Sequence, residues 1–310
     1  MAKIKNGDGF VRGLIDPDSM QSDEMQVLCA CDERYLPHAA TMLCSLLEHN
    51  EVAKIHFFYS AISDRDLDKL KSLVVRYKVE FGYYEVSPDD FKDLRVDKWA
   101  SPAVYYRFLA PRLLPVGLNK ILYLDSDLIV RSSLREFWDT ELADKALAAV
   151  ADYWQDPPSL ALLPVGHKLF NSGVLLINLQ FWRKHKVPER AIEFVRNNPE
   201  KVQFWDQEAL NATLVDQWIE LPARWNTQNE AQLDQIKTEP AIVHFITADK
   251  PWQWSNKHPL KFEYHKYRLK TPWYRYSPEG KPTLSQIFRR LVKGIVRPMI
   301  PASLDRKSVV

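Results

Sequence analysis

Between Met25 and Val86 the chain alternates short apolar runs with stretches of helical spacing, and that order constrains its fold more than any other feature. "MQVLCACD" (25–32) is an apolar run that closes on an acid, and "HAATMLCSLLEHN" after it places Ala40, Leu43 and Leu47 at helical intervals. "KIHFFYSAIS" repeats the strand signal. "DRDLDKLKSLVVRYK" repeats the helix, with Ser63 as the expected N-cap and Leu67, Leu70, Leu73 and Val74 on one face. "VEFGYYEV" then reads as a further strand. Strands alternating with helices imply an α/β fold with a parallel sheet, whose ligands gather at the carboxyl ends of the strands. Asp32 stands at one such end, and the pair Asp125 and Asp127 stands at another, directly after "KILYL".

Composition supports that architecture. At 310 residues, 46% hydrophobic and 26% charged, the chain can bury a full core and is not a disordered protein. A formal net charge of +2 gives no global attraction to nucleic acid, so no nucleic-acid partner is expected and any basic surface has to be local. Cys29, Cys31 and Cys44 fall at no metal-binding spacing and read as small buried hydrophobic groups in a reducing cytoplasm, with Cys29 and Cys31 on one face of a strand. Residues 1–24 lack the apolar stretch that a signal peptide requires and are expected to form a flexible leader; no later run approaches a membrane span.

The run "ILYLDSDLIV" (121–130) carries two carboxylates in otherwise apolar sequence, and bare carboxylates are costly to take out of water unless something positive meets them. In D-x-D at the mouth of a strand both can reach one hard divalent cation, Mg²⁺ or Mn²⁺. The tripeptide alone is equally consistent with a cap on the following loop. Its company favours a ligand site: "VYYRFLAPRLLP" with Arg107, "FNSGVLLINLQFWR", "FWDQEALN" and "HFITADKPW" are polar clusters embedded in aromatic or apolar sequence.

On these motifs the chain resembles the family 8 retaining glycosyltransferases, over roughly residues 25–270. The resemblance implies a GT-A type nucleotide-sugar-binding fold: a mostly parallel central sheet flanked by helices, transferring sugar from a UDP-sugar with Mn²⁺, or Mg²⁺, as cofactor. It implies that Asp125, Asp127 and His244 hold the metal, with Ser126 in the donor site between the two carboxylates. Lys250 would meet the donor diphosphate, and Thr247, in the same motif, stands where glycine is usual in the family. "ACDERY" resembles the uridine pocket, with Ala30 and Asp32 on the uracil edge, Tyr35 stacked on the ring, and Arg34 in place of the commoner asparagine. Arg107 would lean over the donor sugar and diphosphate, and Asn171 would touch the sugar, with Gly173 allowing close packing. In "WDQEALN", Asp206 would bond sugar hydroxyls and Gln207 would face the anomeric centre, where a retaining enzyme would ordinarily present a carboxylate nucleophile. A neutral amide is a poor nucleophile, so the resemblance implies front-face displacement, with Gln207 steadying an oxocarbenium-like centre. Asp152, after "AAVA", would be a further sugar or acceptor contact.

From Leu284, "LSQIFRRLVKGIVRPMI" places Leu284, Ile287, Phe288, Leu291, Val292, Ile295, Val296 and Met299 on one helical face and Arg289, Arg290, Lys293 and Arg297 on the other. With Trp273, Tyr274 and Tyr276 upstream, this is the pattern of a cationic helix lying on anionic lipid; a terminal helix docked on the core is the alternative. The expected organisation is a leader (1–24), a catalytic domain (25–270) and a basic, aromatic tail (271–310). The expected activity is transfer of galactose or glucose from a UDP-hexose to a glycolipid acceptor such as lipopolysaccharide core, at the inner face of the cytoplasmic membrane. The alternatives are a protein- or polysaccharide-directed enzyme, or a non-catalytic UDP-sugar-binding member of the same fold.

Overall fold

The computed structural model describes residues 24–96, 101–236, 238–277, 279–281, 283 and 285. The leader up to residue 23 and the amphipathic segment read from Leu284, apart from Ser285, lie outside the described residues.

The strands are β1 (Gln26–Asp32), β2 (Lys54–Ser60), β3 (Glu80–Glu85), β4 (Lys120–Leu124), β5 (Leu128–Val130), β6 (Leu147–Ala151), β7 (Phe170–Asn178), β8 (Trp218–Leu221) and β9 (Ile242–His244). A seven-stranded sheet has the order β3-β2-β1-β4-β7-β6-β8. Only β7 runs against its neighbours; β3, β2, β1 and β4 pair in parallel, as do β6 and β8. The sheet is therefore mostly parallel, as the strand and helix alternation implies. The helices Leu36–His49 and Asp64–Arg76 form the expected crossovers, and Ser63 caps the second by accepting from the Asp66 amide at 3.2 Å.

Burial on both faces explains why β1 reads as a continuous apolar run rather than an alternating one. Val27, Cys29 and Cys31 enter one core with Leu43, Phe57 and Leu70, while Leu28 and Ala30 enter the other with Phe58, Tyr123 and Trp182. All three cysteines are buried and free.

The sheet brings the polar clusters to one end of its central strands. Register pairing sets Leu124 of β4 opposite Val174 of β7, so Asp125 comes level with Gly173, and the Asp125 amide donates to the Gly173 carbonyl at 2.9 Å. A separate antiparallel pair, β5 with β9, sets Leu128 opposite His244 and carries that imidazole back toward the aspartates. Among the described residues, no helix is long and apolar enough to cross a membrane.

Candidate active site

Three ligand groups converge where β4, β7 and β9 meet. One ligand atom each of Asp125, Asp127 and His244 lie within 4.8 Å of one another. His244 Nε2 is 3.2 Å from Asp127 Oδ1 and 3.9 Å from Asp125 Oδ2. Its Nδ1 lies 3.1 Å from Asn226 Oδ1, an acceptor that takes the Nδ1 proton and fixes the ring with Nε2 toward the carboxylates. Two carboxylates and one imidazole, gathered on a tight cradle at Gly173, are a donor set that fits a hard divalent cation such as Mn²⁺ or Mg²⁺. Ser126 is buried between the two aspartates and its hydroxyl donates to the Ala30 carbonyl at 3.2 Å, tying the metal loop to the end of β1.

The carboxylates have fixed counter-charges. Lys250 Nζ is 2.6 Å from Asp127 Oδ2 and also donates to the Phe245 carbonyl at 2.5 Å. Burial alone would raise the Asp127 pKa, but the charges and hydrogen bonds of Lys250 and His244 outweigh it and hold the carboxyl far below its ordinary value. Asp125 Oδ1 accepts from Tyr123 at 2.7 Å and from Arg107 Nη2 at 2.9 Å. Arg107 is only 2% exposed: its guanidinium also pairs with Asp206 Oδ2 at 3.2 Å, bonds the Ser172 carbonyl and lies 4.0 Å from the Tyr123 ring centre. It stands beneath the carboxylates and joins two of them, rather than reaching out over an open cleft. Burial pushes Asp206 up to about 6, with Arg107 pulling the other way and Asp125 adding to the rise.

Next to this charge cluster a carboxamide is held from both ends. Gln207 Oε1 accepts from the Ser172 amide at 3.1 Å and from Asn171 Nδ2 at 3.2 Å, while its Nε2 donates to Asp152 Oδ2 at 3.1 Å. Asp152 is enclosed, since its other oxygen accepts from the Trp154 amide at 2.9 Å. Asn171 Oδ1 in turn accepts from Asn226 Nδ2 at 2.9 Å, so the amide cluster and the metal cluster share Asn226. Asp206 and Gln207 open the helix Asp206–Thr213, and the residue before it, Trp205, has φ 52°, a conformation rare for a side chain of this size. Glu208 braces that turn by accepting from the amides of Gln203 and Phe204.

At the end of β1, Asp32 Oδ1 caps the following turn through the Tyr35 amide at 3.3 Å, and Oδ2 pairs with Arg34 at 3.2 Å. Tyr35 meets His38 and Trp252 edge-on, each with ring centres 5.7 Å apart. Thr247 is exposed, with its hydroxyl 3.3 Å from the Asp249 carbonyl, and it is not among the described residues of positive φ, so no glycine-like backbone is imposed there.

The residues singled out for the metal and donor sites thus fall at this end of the central strands or in the loops beside it, while Arg289, Arg290, Lys293 and Arg297 of the tail lie outside the described residues. Sequence reasoning missed Asn226 and Tyr123. Tyr123 offers a signal, a hydroxyl two residues ahead of Asp125 in a strand and so on the same face; Asn226, in "ARWNTQNEA", offers none.

Residues 26–255 match the family model described as Glycosyl transferase family 8. The chain belongs to glycosyltransferase family 8. General stress protein A of Bacillus subtilis (strain 168) is 30% identical over 290 residues, covering 86% of this chain and 100% of that protein. The lipopolysaccharide glucosyltransferase WaaO of Escherichia coli (strain K12) is 27% identical over 286 residues, covering 85% and 84%. The crystal structure of the galactosyltransferase LgtC in complex with donor and acceptor sugar analogs superposes with a TM-score of 0.74 at 23% identity, covering 80% of this chain and 96% of that one. That likeness establishes the GT-A type fold, and family 8 membership makes the protein a glycosyltransferase enzyme.

Proposed function

We propose that this family 8 enzyme transfers a hexose, galactose or glucose, from a UDP-sugar to a carbohydrate acceptor on a glycolipid such as lipopolysaccharide core, with retention of anomeric configuration. The observation that carries the reading is the convergence of Asp125, Asp127 and His244 within 4.8 Å, beside an amide that its neighbours hold in place. Those three residues would hold Mn²⁺, or Mg²⁺, which when bound supplies positive charge against the donor diphosphate. Ala30, Asp32 and Tyr35 form the uridine pocket, and Lys250 and Thr247 line the diphosphate. Asn171 and Asp206 meet the donor sugar, while Arg107 orients Asp125 and Asp206 from below. Gln207 faces the anomeric centre, and Asp152 sets its amide.

A held amide offers dipole stabilisation without a nucleophile, which suits front-face displacement over double inversion. The lipopolysaccharide acceptor is supported by the likeness to WaaO, whose name states that activity. A peripheral site on the inner face of the cytoplasmic membrane, reached through the tail 271–310, is part of the same reading. Its support within the described residues is local: Tyr274 is exposed, with the exposed Arg275 guanidinium 5.3 Å from its ring centre.

The test supplies UDP-galactose and UDP-glucose with Mn²⁺ to lactose, maltose and rough-type lipopolysaccharide, follows UDP release and reads the product anomer by NMR. Transfer of one hexose as the α-anomer is expected. A β-linked product, or UDP release indifferent to metal, contradicts the proposal.

A further inference from the structure

Trp154 is 60% exposed, two residues beyond Asp152. Single exposed apolar side chains are ordinary on protein surfaces, so exposure by itself carries nothing. What sets this indole apart is the rigidity of the loop that presents it. The Trp154 amide donates to Asp152 Oδ1 at 2.9 Å, and the Tyr153 amide donates to Gln228 Oε1 at 2.8 Å. Gln155 Nε2 donates to the carbonyls of Asp152 at 2.6 Å and Leu169 at 2.8 Å, and Gln155 Oε1 accepts from the Leu169 amide at 2.9 Å. Gln155 has φ 42°, an unfavourable conformation for a residue with a side chain, which these bonds offset. Tyr153 supports the indole edge-on, ring centres 5.3 Å apart and planes at 84°.

A loop fixed this closely around an outward tryptophan is a presentation device. The carboxylate that anchors the Trp154 amide is the same one that receives Gln207 Nε2 at 3.1 Å, so the ring and the amide share one fixed point. The metal ligands Asp125, Asp127 and His244 come from other strands, which leaves this loop free for a second substrate. We propose that Trp154 is the stacking platform for a pyranose ring of the acceptor. The C–H face of a hexose packs on an aromatic face while its hydroxyls stay free to bond, and a tryptophan held in position loses little conformational entropy when it binds. The inference rests on the transferase reading above and adds an acceptor determinant to it.

The test compares the full-length protein with Trp154→Ala, Trp154→Phe and a control, Phe262→Ala, whose ring is 82% exposed on the helix Lys261–Arg268. Acceptor-free hydrolysis of UDP-galactose and UDP-glucose is measured beside transfer to lactose, maltose and rough-type lipopolysaccharide. Trp154→Ala should raise the acceptor KM by about tenfold, the worth of one aromatic stacking contact, while hydrolysis and donor KM hold. Trp154→Phe should recover most of the loss, and Phe262→Ala should match the wild type. An unchanged acceptor KM, or equal losses in hydrolysis and transfer, overturns the platform. If the wild type neither hydrolyses nor transfers, the functional reading fails on its own. Saturation-transfer NMR of the same sugars then decides the platform: signals lost in Trp154→Ala support it, and signals that persist or are absent from the wild type overturn it.

Discussion

Gly173 leaves no room for a side chain against His244: a Cβ placed there would overlap His244 Cε1 and stand 2.6 Å from Asp125 Oδ2. The glycine is required by the close approach of the metal ligands and not by its backbone angle. Gly173→Ala should therefore displace the imidazole or the carboxylate, and Mn²⁺ affinity, read by calorimetry, should fall by about tenfold or more. Native-like affinity in a folded Gly173→Ala protein would show that the three groups do not share an ion.

Asp127 receives both Lys250 at 2.6 Å and His244 at 3.2 Å. Asp127→Asn should abolish metal-dependent release of UDP while thermal unfolding stays cooperative, because the change keeps the shape and removes the charge. Full activity that still requires metal would remove Asp127 from the ligand set.

Gln207 is proposed to stabilise charge and form no bond to the sugar. Gln207→Ala should slow transfer by a factor on the order of 10², comparable to losing one oriented dipole, and leave the product anomer unchanged. Complete loss in a protein that still binds UDP, as a missing nucleophile would cause, argues for a covalent route.

Buried histidines predict how stability depends on pH. Burial lowers His38 to about 3, where its ring stacks on Trp252 at 3.5 Å and its Nδ1 meets the Tyr264 hydroxyl at 2.6 Å. Burial likewise lowers His56 to about 3, between Gln26 and Tyr84. A folded pKa below the ordinary value of 6.5 means that the unfolded chain binds the proton first, so this stability is present above about pH 6.5 and is lost as pH falls toward 3. Each histidine should contribute a slope of up to about 1.4 kcal/mol per pH unit across that window. Urea titrations between pH 7 and 4.5 check this, and His56→Gln should show the shallower dependence.

How much of this was legible in the sequence depended on whether a local pattern carried it. β1 to β3 and their crossovers followed from apolar runs giving way to helical spacing, and Ser63 caps its helix as expected. The direction of β7 was not legible: "GVLLIN" is buried on both faces, and a run without alternation reads the same in either sense. The candidate site residues were legible through the family motifs, which place them without saying how they bond. The burial of Arg107 beneath Asp125 and Asp206 therefore emerged only in three dimensions, because an arginine beside aromatic residues gives the same sequence whether it points in or out. Asn226 sits in polar sequence with no period, and its bonds to His244 and Asn171 are both long-range.

The strand order places β4 in the middle of the seven, with β1 and β7 on either side. The aspartate loop leaves β4, Asp32 closes β1 and Asn171 opens β7, so the site rides on the innermost strands of the sheet. Fraying at the outer strands β3 and β8 can proceed without moving these residues. Heat should therefore leave turnover intact while the margins loosen, and then extinguish it together with the sheet, in a single event rather than by gradual decline.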